Sequence, residues 1–233
     1  MRSALAFLTV LGGAAPPDRR APAWFGVVGA LVGLGVGVVW WGATELWPPL
    51  LAAVLAVGAD AVLTGMLHLD GLADSADGLL PPVERERRLA IMATPDVGAF
   101  GMAALVLALG ARIAALASLT PDLLLVAGLW AGARAGMALA MAAVPYARDS
   151  GAASGFADRR VAPAVLSLLA AGALVAAGLG GWAGAATIAG AVAAFVTVVA
   201  LAVRRLGGYT GDVLGAAGLT AETVGLVVAA ARW

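Results

Sequence analysis

Residues 68–101 read HLDGLADSADGLLPPVERERRLAIMATPDVGAFG, and they begin where a long apolar run ends. Asp70, Asp74 and Asp77 follow one another at i, i+4 and i+7. A helix turns about 100° per residue, so the three carboxylates fall within about 60° on one face. Like charges side by side at a membrane border repel and lose hydration, a cost that must be offset. A divalent cation would offset it, and all-oxygen ligation favours Mg²⁺ or Mn²⁺. The alternative is a solvated helix start whose acidic residues answer the macrodipole. Gly71, Ala73, Ser75, Ala76 and Gly78 are small and leave room for a bulky group.

Around this stretch the 233 residues are 62% hydrophobic and 12% charged, with a mean hydropathy of +0.98. A chain of that composition cannot coat a soluble globule and belongs with polytopic membrane proteins. The expected fold is all-α: a helix bundle of about seven transmembrane helices plus an N-terminal interfacial segment, in one integral membrane domain over 1–233. Net charge is zero, so no global field recruits nucleic acid. Cysteine is absent, which excludes disulfides and thiolate metal sites.

The apolar piece Ala4–Leu11 is too short to span and is expected at the interface; as a signal peptide it lacks a clear cleavage site. Spans are expected over about 23–42, 47–69, 97–119, 121–144, 162–182, 184–203 and 212–231, with Gly180-Gly181 turning between the fifth and sixth. Trp24, Trp40 and Trp41 read as interfacial anchors. Gly29, Gly33 and Gly37 form a small-residue face for close helix packing. Thr220 and Glu222 interrupt the last span. Of the 14 basic residues, all arginine, 11 fall on the N-terminal segment and the second, fourth and sixth loops. The positive-inside rule puts those loops in the cytoplasm of a multi-pass cell-membrane protein.

Several residues on that side can carry chemistry. Arg85, Arg87 and Arg88 lie about ten residues past the acidic face, and carboxylates holding a cation beside guanidiniums suit a polyphosphate. The competing reading is a solvated helix with local ion pairs, which is favoured for Arg85. In RRLGGYTGDVLGA, residues 204–216, the amides of Gly207, Gly208 and Gly211 can cradle an anion as the chain enters a helix. Asp212 there either completes the metal site or simply caps the helix. The loop VPYARDSGAASGF offers Tyr146 and Arg148. Asp60, Arg112, Arg134 and Glu222 lie within spans and are functional candidates, or else neutralise one another inside the bundle. His68, the single histidine, is a metal ligand, a proton carrier or a satisfied polar residue.

HLDGLADSADG, the ERRLAIM at 86–92, VGAFG at 97–101, Arg134-Ala135-Gly136, the YAR at 146–148 and GGYTGDVLGA with Glu222 ten residues past Asp212 resemble the cobalamin synthase family. The resemblance covers most of the chain. It implies an integral membrane enzyme that joins adenosylcobinamide-GDP to α-ribazole or its 5'-phosphate, releasing GMP, with Mg²⁺ required. Catalytic and metal-holding roles then go to Asp70, Asp74, Asp77 and Asp212. Substrate contacts go to His68, Arg87, Arg88, Arg134, Tyr146, Arg148, Arg204 and Gly208. The active site would face the cytoplasm, and association into a homo-oligomer is left open. Two departures stand out. The family's aspartate after the Ile-Met pair is Thr94 here, with Asp96 two residues on, and its N-terminal Thr-Arg reads Thr9-Val10.

Two other functions compete. A CDP-alcohol phosphotransferase carries Asp-Gly-x-x-Ala-Arg; Asp70-Gly71 starts that pattern, but Asp74-Ser75 stands where it has Ala-Arg and the later aspartates are missing. An ion transporter would place its carboxylates near mid-membrane in broken helices.

Overall fold

The computed structural model describes residues 1–13, 15–16, 18–148 and 161–232, and the described part is helical. A short helix α1, Arg2–Leu8, precedes a 3₁₀ turn at Val10–Gly12 and another at Ala21–Trp24. Then come α2 (Phe25–Thr44), α3 (Pro49–Leu63), α4 (Leu67–Leu79), α5 (Arg85–Ile91) and α6 (Ala99–Ser118). After these run α7 (Leu123–Ala143), α8 (Ala162–Leu179), α9 (Gly181–Leu206) and α10 (Gly211–Ala229). Six helical stretches among the described residues are long and apolar enough to cross a membrane, and the bent pair α3 with α4 makes the count seven if it crosses as one span. The all-α, multi-pass expectation therefore holds.

The broken span is the main departure from the expected fold. Residues 47–69 were expected to cross in one piece; instead α3 stops at Leu63 and α4 leaves at 88° to it. Gly65 and Met66 both take left-handed backbone angles, φ 60° and 61°. Such a conformation costs about 1–2 kcal/mol for a residue with a Cβ, so Met66 must be held there by its surroundings. Met66 is also the residue from which α4 starts.

Small residues set how closely the rest packs. A β-carbon on Gly29 or Gly33 would stand 2.5 or 2.7 Å from a carbonyl oxygen of α7, which bears out the small-residue face of α2. Trp40 is 1% exposed and belongs to the core, whereas Trp24 and Trp41 keep outward faces suited to anchoring. The Gly180-Gly181 turn appears as expected, both residues having positive φ. The last helix is continuous through Thr220 and Glu222, because Glu222 is paired rather than exposed to lipid. α7 and α10 are the most enclosed helices, and the others gather around them. Arg159 and Arg160, which were counted toward orientation, lie outside the described residues.

Candidate active site

Three arginine-bearing segments meet on one side of the bundle: the end of α4 with α5, residues 145–148, and residues 204–212. Tyr209 N–H donates to the Pro145 carbonyl at 2.9 Å and Ala147 N–H to the Tyr209 carbonyl at 2.8 Å, a short parallel pairing. Gly208 makes this approach possible, since a β-carbon there would lie 2.2 Å from the Pro145 oxygen. The two tyrosine rings meet edge to face with centroids 5.2 Å apart. Burial raises both phenol pKa values, that of Tyr209 to about 12, so both stay protonated donors at neutral pH.

Arginines tie the segments together. Arg85 donates from Nε to the Leu206 carbonyl at 2.8 Å and from Nη2 to the Ala147 carbonyl at 2.9 Å. Arg88, 7% exposed, gives Nη1 to the Gly78 and Leu79 carbonyls at 2.9 and 3.0 Å. Arg205 reaches the Leu79 carbonyl too. These carbonyls end α4, where guanidiniums complement both unpaired acceptors and the helix dipole. Arg88 was expected to hold phosphate; it is a cap for α4 instead, because its guanidinium is buried against that helix end. Arg87 and Arg204 are exposed and have no hydrogen bond or ion pair among the described residues.

α4 crosses α10 at the site. The room beside Gly71 is closed by the Asp212 carbonyl, and that beside Gly215 by the His68 backbone. Asp70 is exposed and Asp74 half-buried, and the charges of Asp70, Asp212, Arg148 and Asp77 all act on Asp74. Asp212 Oδ2 lies 3.2 Å from Arg148 Nη2, which also donates to the Met92 carbonyl at 3.1 Å. The N-cap of α10 is Thr210, whose Oγ accepts from Val213 N–H at 3.2 Å. Asp212 is therefore not the cap, and that alternative reading of it falls.

Asp77 turns away from its two neighbours. Its oxygens accept from Gly98 N–H at 2.7 Å and Gly101 N–H at 2.9 Å, the first-turn amides of α6. Among the described residues no three His, Asp or Glu side chains stand close enough to share an ion. The donor chemistry of Asp70, Asp74 and Asp212 nevertheless suits a hard divalent cation: all are carboxylates, with Arg148 as the ion-pair partner. Asp96 is exposed, Thr94 bonds its own helix end through Ile91 O at 2.8 Å, and Thr9 bonds Leu5 O at 2.8 Å.

His68 and Arg134 stand apart from this surface. His68 is 3% exposed and Arg134 1%, with His68 Nδ1 3.3 Å from Arg134 Nη2. Arg134 pairs with Glu222, and Arg112 bridges Glu222 and Asp60 at 3.0 and 2.7 Å. His68 and Arg134, expected to contact substrate, are instead buried against each other, with the charge of Arg134 answered by Glu222. The sequence reading missed Thr210 as a cap and Arg205 as a clamp. A threonine just before Gly-Asp at a helix start was a usable cue for the first; nothing local pointed to the second.

Fold and site together define a multi-pass membrane helix bundle with a carboxylate and guanidinium surface on one side. The cobalamin-5-phosphate synthase family model matches residues 1–230, and the chain belongs to that family of transferases. It is 41% identical to an adenosylcobinamide-GDP ribazoletransferase of Bradyrhizobium diazoefficiens, over 99% of this chain and 93% of that protein. Proteins of the same description from Leptothrix cholodnii and Azorhizobium caulinodans are 40% and 39% identical, covering 82% and 87% of this chain and 77% and 81% of their own. No solved structure matches. The family match favours the corrinoid transferase over the lipid-headgroup transferase and the transporter.

Proposed function

We propose that the chain transfers the adenosylcobinamide phosphoryl group from adenosylcobinamide-GDP to α-ribazole 5'-phosphate or α-ribazole, with Mg²⁺ and at the cytoplasmic face. The observation that carries this is the crossing of α4 on α10, which sets Asp70 and Asp74 beside Asp212 and Arg148. The ribazole 3'-hydroxyl oxygen forms a bond to the cobinamide-side phosphorus while the bond from that phosphorus to the oxygen of GMP breaks, so GMP leaves with the bridging oxygen. No three of these carboxylates stand close enough to share an ion by themselves, so one or two of Asp70, Asp74 and Asp212, together with the substrate's own phosphate oxygens, would hold Mg²⁺, which when bound neutralises charge on the diphosphate. Asp212 also stands as an acceptor for the hydroxyl proton. Arg87 and Arg204, which are exposed, would engage phosphate oxygens, and Arg148 would orient Asp212. The phenols of Tyr146 and Tyr209 remain donors beside them.

The arginine-rich loops support a cytoplasmic site through the positive-inside rule. The test is purified protein in detergent or liposomes with adenosylcobinamide-GDP and α-ribazole phosphate. GMP and a coupled corrinoid should form with Mg²⁺ and stop when it is chelated. Release of GMP without a coupled corrinoid, or coupling that survives chelation, would overturn the proposal.

A further inference from the structure

A continuous polar chain joins the two sides of the break in the second span. On one side, Asp60 in the last turn of α3 accepts from Arg112 Nη2 at 2.7 Å and from Trp130 Nε1 at 2.8 Å. Arg112 passes to Glu222 of α10 at 3.0 Å, Glu222 to Arg134 of α7, and Arg134 to His68 at 3.3 Å. His68 lies in the first turn of α4, on the far side of the break. Five helices contribute one link each, and the exposures of Asp60, Arg112, Glu222, Arg134 and His68 are 6, 1, 0, 1 and 3%. Arg112 also lies over the Trp130 ring, 4.9 Å from its centroid.

Charge and geometry both give this chain a purpose. Two carboxylates answer two guanidiniums, so it is neutral at a depth where a lone charge is costly. Neutrality alone could be had with fewer groups; what the arrangement adds is a fixed tie between α3, α4 and α10. Glu222 and Asp212 share α10, while His68 and Asp70 share α4. A network gripping α4 two residues before Asp70 and α10 ten residues after Asp212 sets the angle at which the carboxylates face one another. The break itself is a hydrogen-bonded turn, with Met66 N–H donating to the Ala61 carbonyl at 2.8 Å and Leu67 N–H to that of Thr64 at 3.2 Å, so it ties α4 to α3 but makes no tie to α10.

We propose that Arg112 and Glu222 are positioning residues: through Asp60 on one side of the break and Arg134–His68 on the other, they fix α4 against α10. Neither touches substrate. Arg112 is the key link, since its rigid fork serves Asp60 from Nη2 and Glu222 from Nη1, a geometry that the single nitrogen of a lysine does not reproduce.

The proposal rests on the transferase reading for its kinetic arm only. The chain has no cysteine, so cysteines at Leu67 and Val227, exposed by 43 and 46%, accept spin labels uniquely. In the labelled parent the inter-label distance should be a single narrow distribution. In Arg112→Lys it should broaden or shift without substrate present, while kcat falls by about a hundredfold and KM for both substrates stays within about twofold. A merely structural role would lower the amount of folded protein and leave kcat per folded molecule and the distance unchanged; that result overturns the proposal. Where Arg112→Lys does not accumulate, Trp130→Phe decides, because it removes one bond to Asp60 and keeps an aromatic ring under Arg112. It should broaden the same distance, and an unchanged distribution there refutes the proposal. If the parent has no transferase activity, the distance arm still stands or falls by itself.

Discussion

Gly71 of α4 faces the backbone of Asp212 so closely that a β-carbon would sit 2.7 Å from the Asp212 carbonyl oxygen. The hydrogen on Gly71 is thus a condition for bringing Asp70 and Asp74 up to α10. Gly71→Ala should push the helices apart, lower stability by about 1–3 kcal/mol, and reduce GMP release per folded molecule by more than that stability loss explains. Thermal unfolding in detergent beside turnover would check it; normal turnover in Gly71→Ala would show that the approach is dispensable.

Asp70 and Asp77 share a helix face but not an environment, so their substitutions should part company. Asp77→Asn removes one of the acceptors for the Gly98 and Gly101 amides and should cost about 1–3 kcal/mol of stability. Asp70 is exposed, so Asp70→Asn should melt like the parent and still lose activity by orders of magnitude. The measurement is turnover divided by folded fraction for each variant.

Thr210 and Asp212 separate capping from chemistry. Thr210→Ala removes the acceptor for Val213 N–H and should lower stability by about 1 kcal/mol. Asp212→Asn leaves that cap in place and should remove most activity at an unchanged melting temperature. Substantial activity in Asp212→Asn would exclude both a ligand and a base role for this carboxylate.

Arg87 and Arg88 are adjacent and opposite in character. Arg88→Ala strips the carbonyls of Gly78 and Leu79 of a charged donor and should destabilise by about 1.5–3 kcal/mol. Arg87→Ala should leave stability alone and raise KM for adenosylcobinamide-GDP. Equal melting temperatures for the two variants would contradict the capping role.

The orientation can be read directly. Cysteines placed at Glu45 and Glu86, both exposed, should react from opposite sides of sealed vesicles, Glu86 from the cytoplasmic side. Labelling of both from one side would remove the sevenfold crossing.

Much of this was legible from the chain, because membrane helices announce themselves by uninterrupted apolar length. Glycines four residues apart announced a close-packing face on α2 but not that α7 is its partner, and the cost of unpaired charge in lipid offered the pairing of Asp60 and Glu222 with Arg112 and Arg134 as one of two readings. The bend at Thr64–Met66 was not legible, since apolar composition continues through it. For the same reason His68 and Arg134 looked available to substrate: their burial depends on where α4 goes after the bend. Asp77 kept the i, i+7 spacing of a shared face, yet its partners are amides of a helix about twenty residues later, which no local pattern encodes. Arg88 and Arg205 carry the same charge as Arg87 and Arg204, and only tertiary placement divides the clamps from the exposed guanidiniums.

The buried charges also bear on how the chain is made. They emerge in the order Asp60, Arg112, Arg134, Glu222, so while α10 is still unsynthesised two guanidiniums share a single carboxylate at membrane depth. Arrival of the last helix is what balances them. A chain halted before α10 therefore carries one positive charge with no carboxylate to answer it among these four, and the final helix closes the charge balance of the bundle.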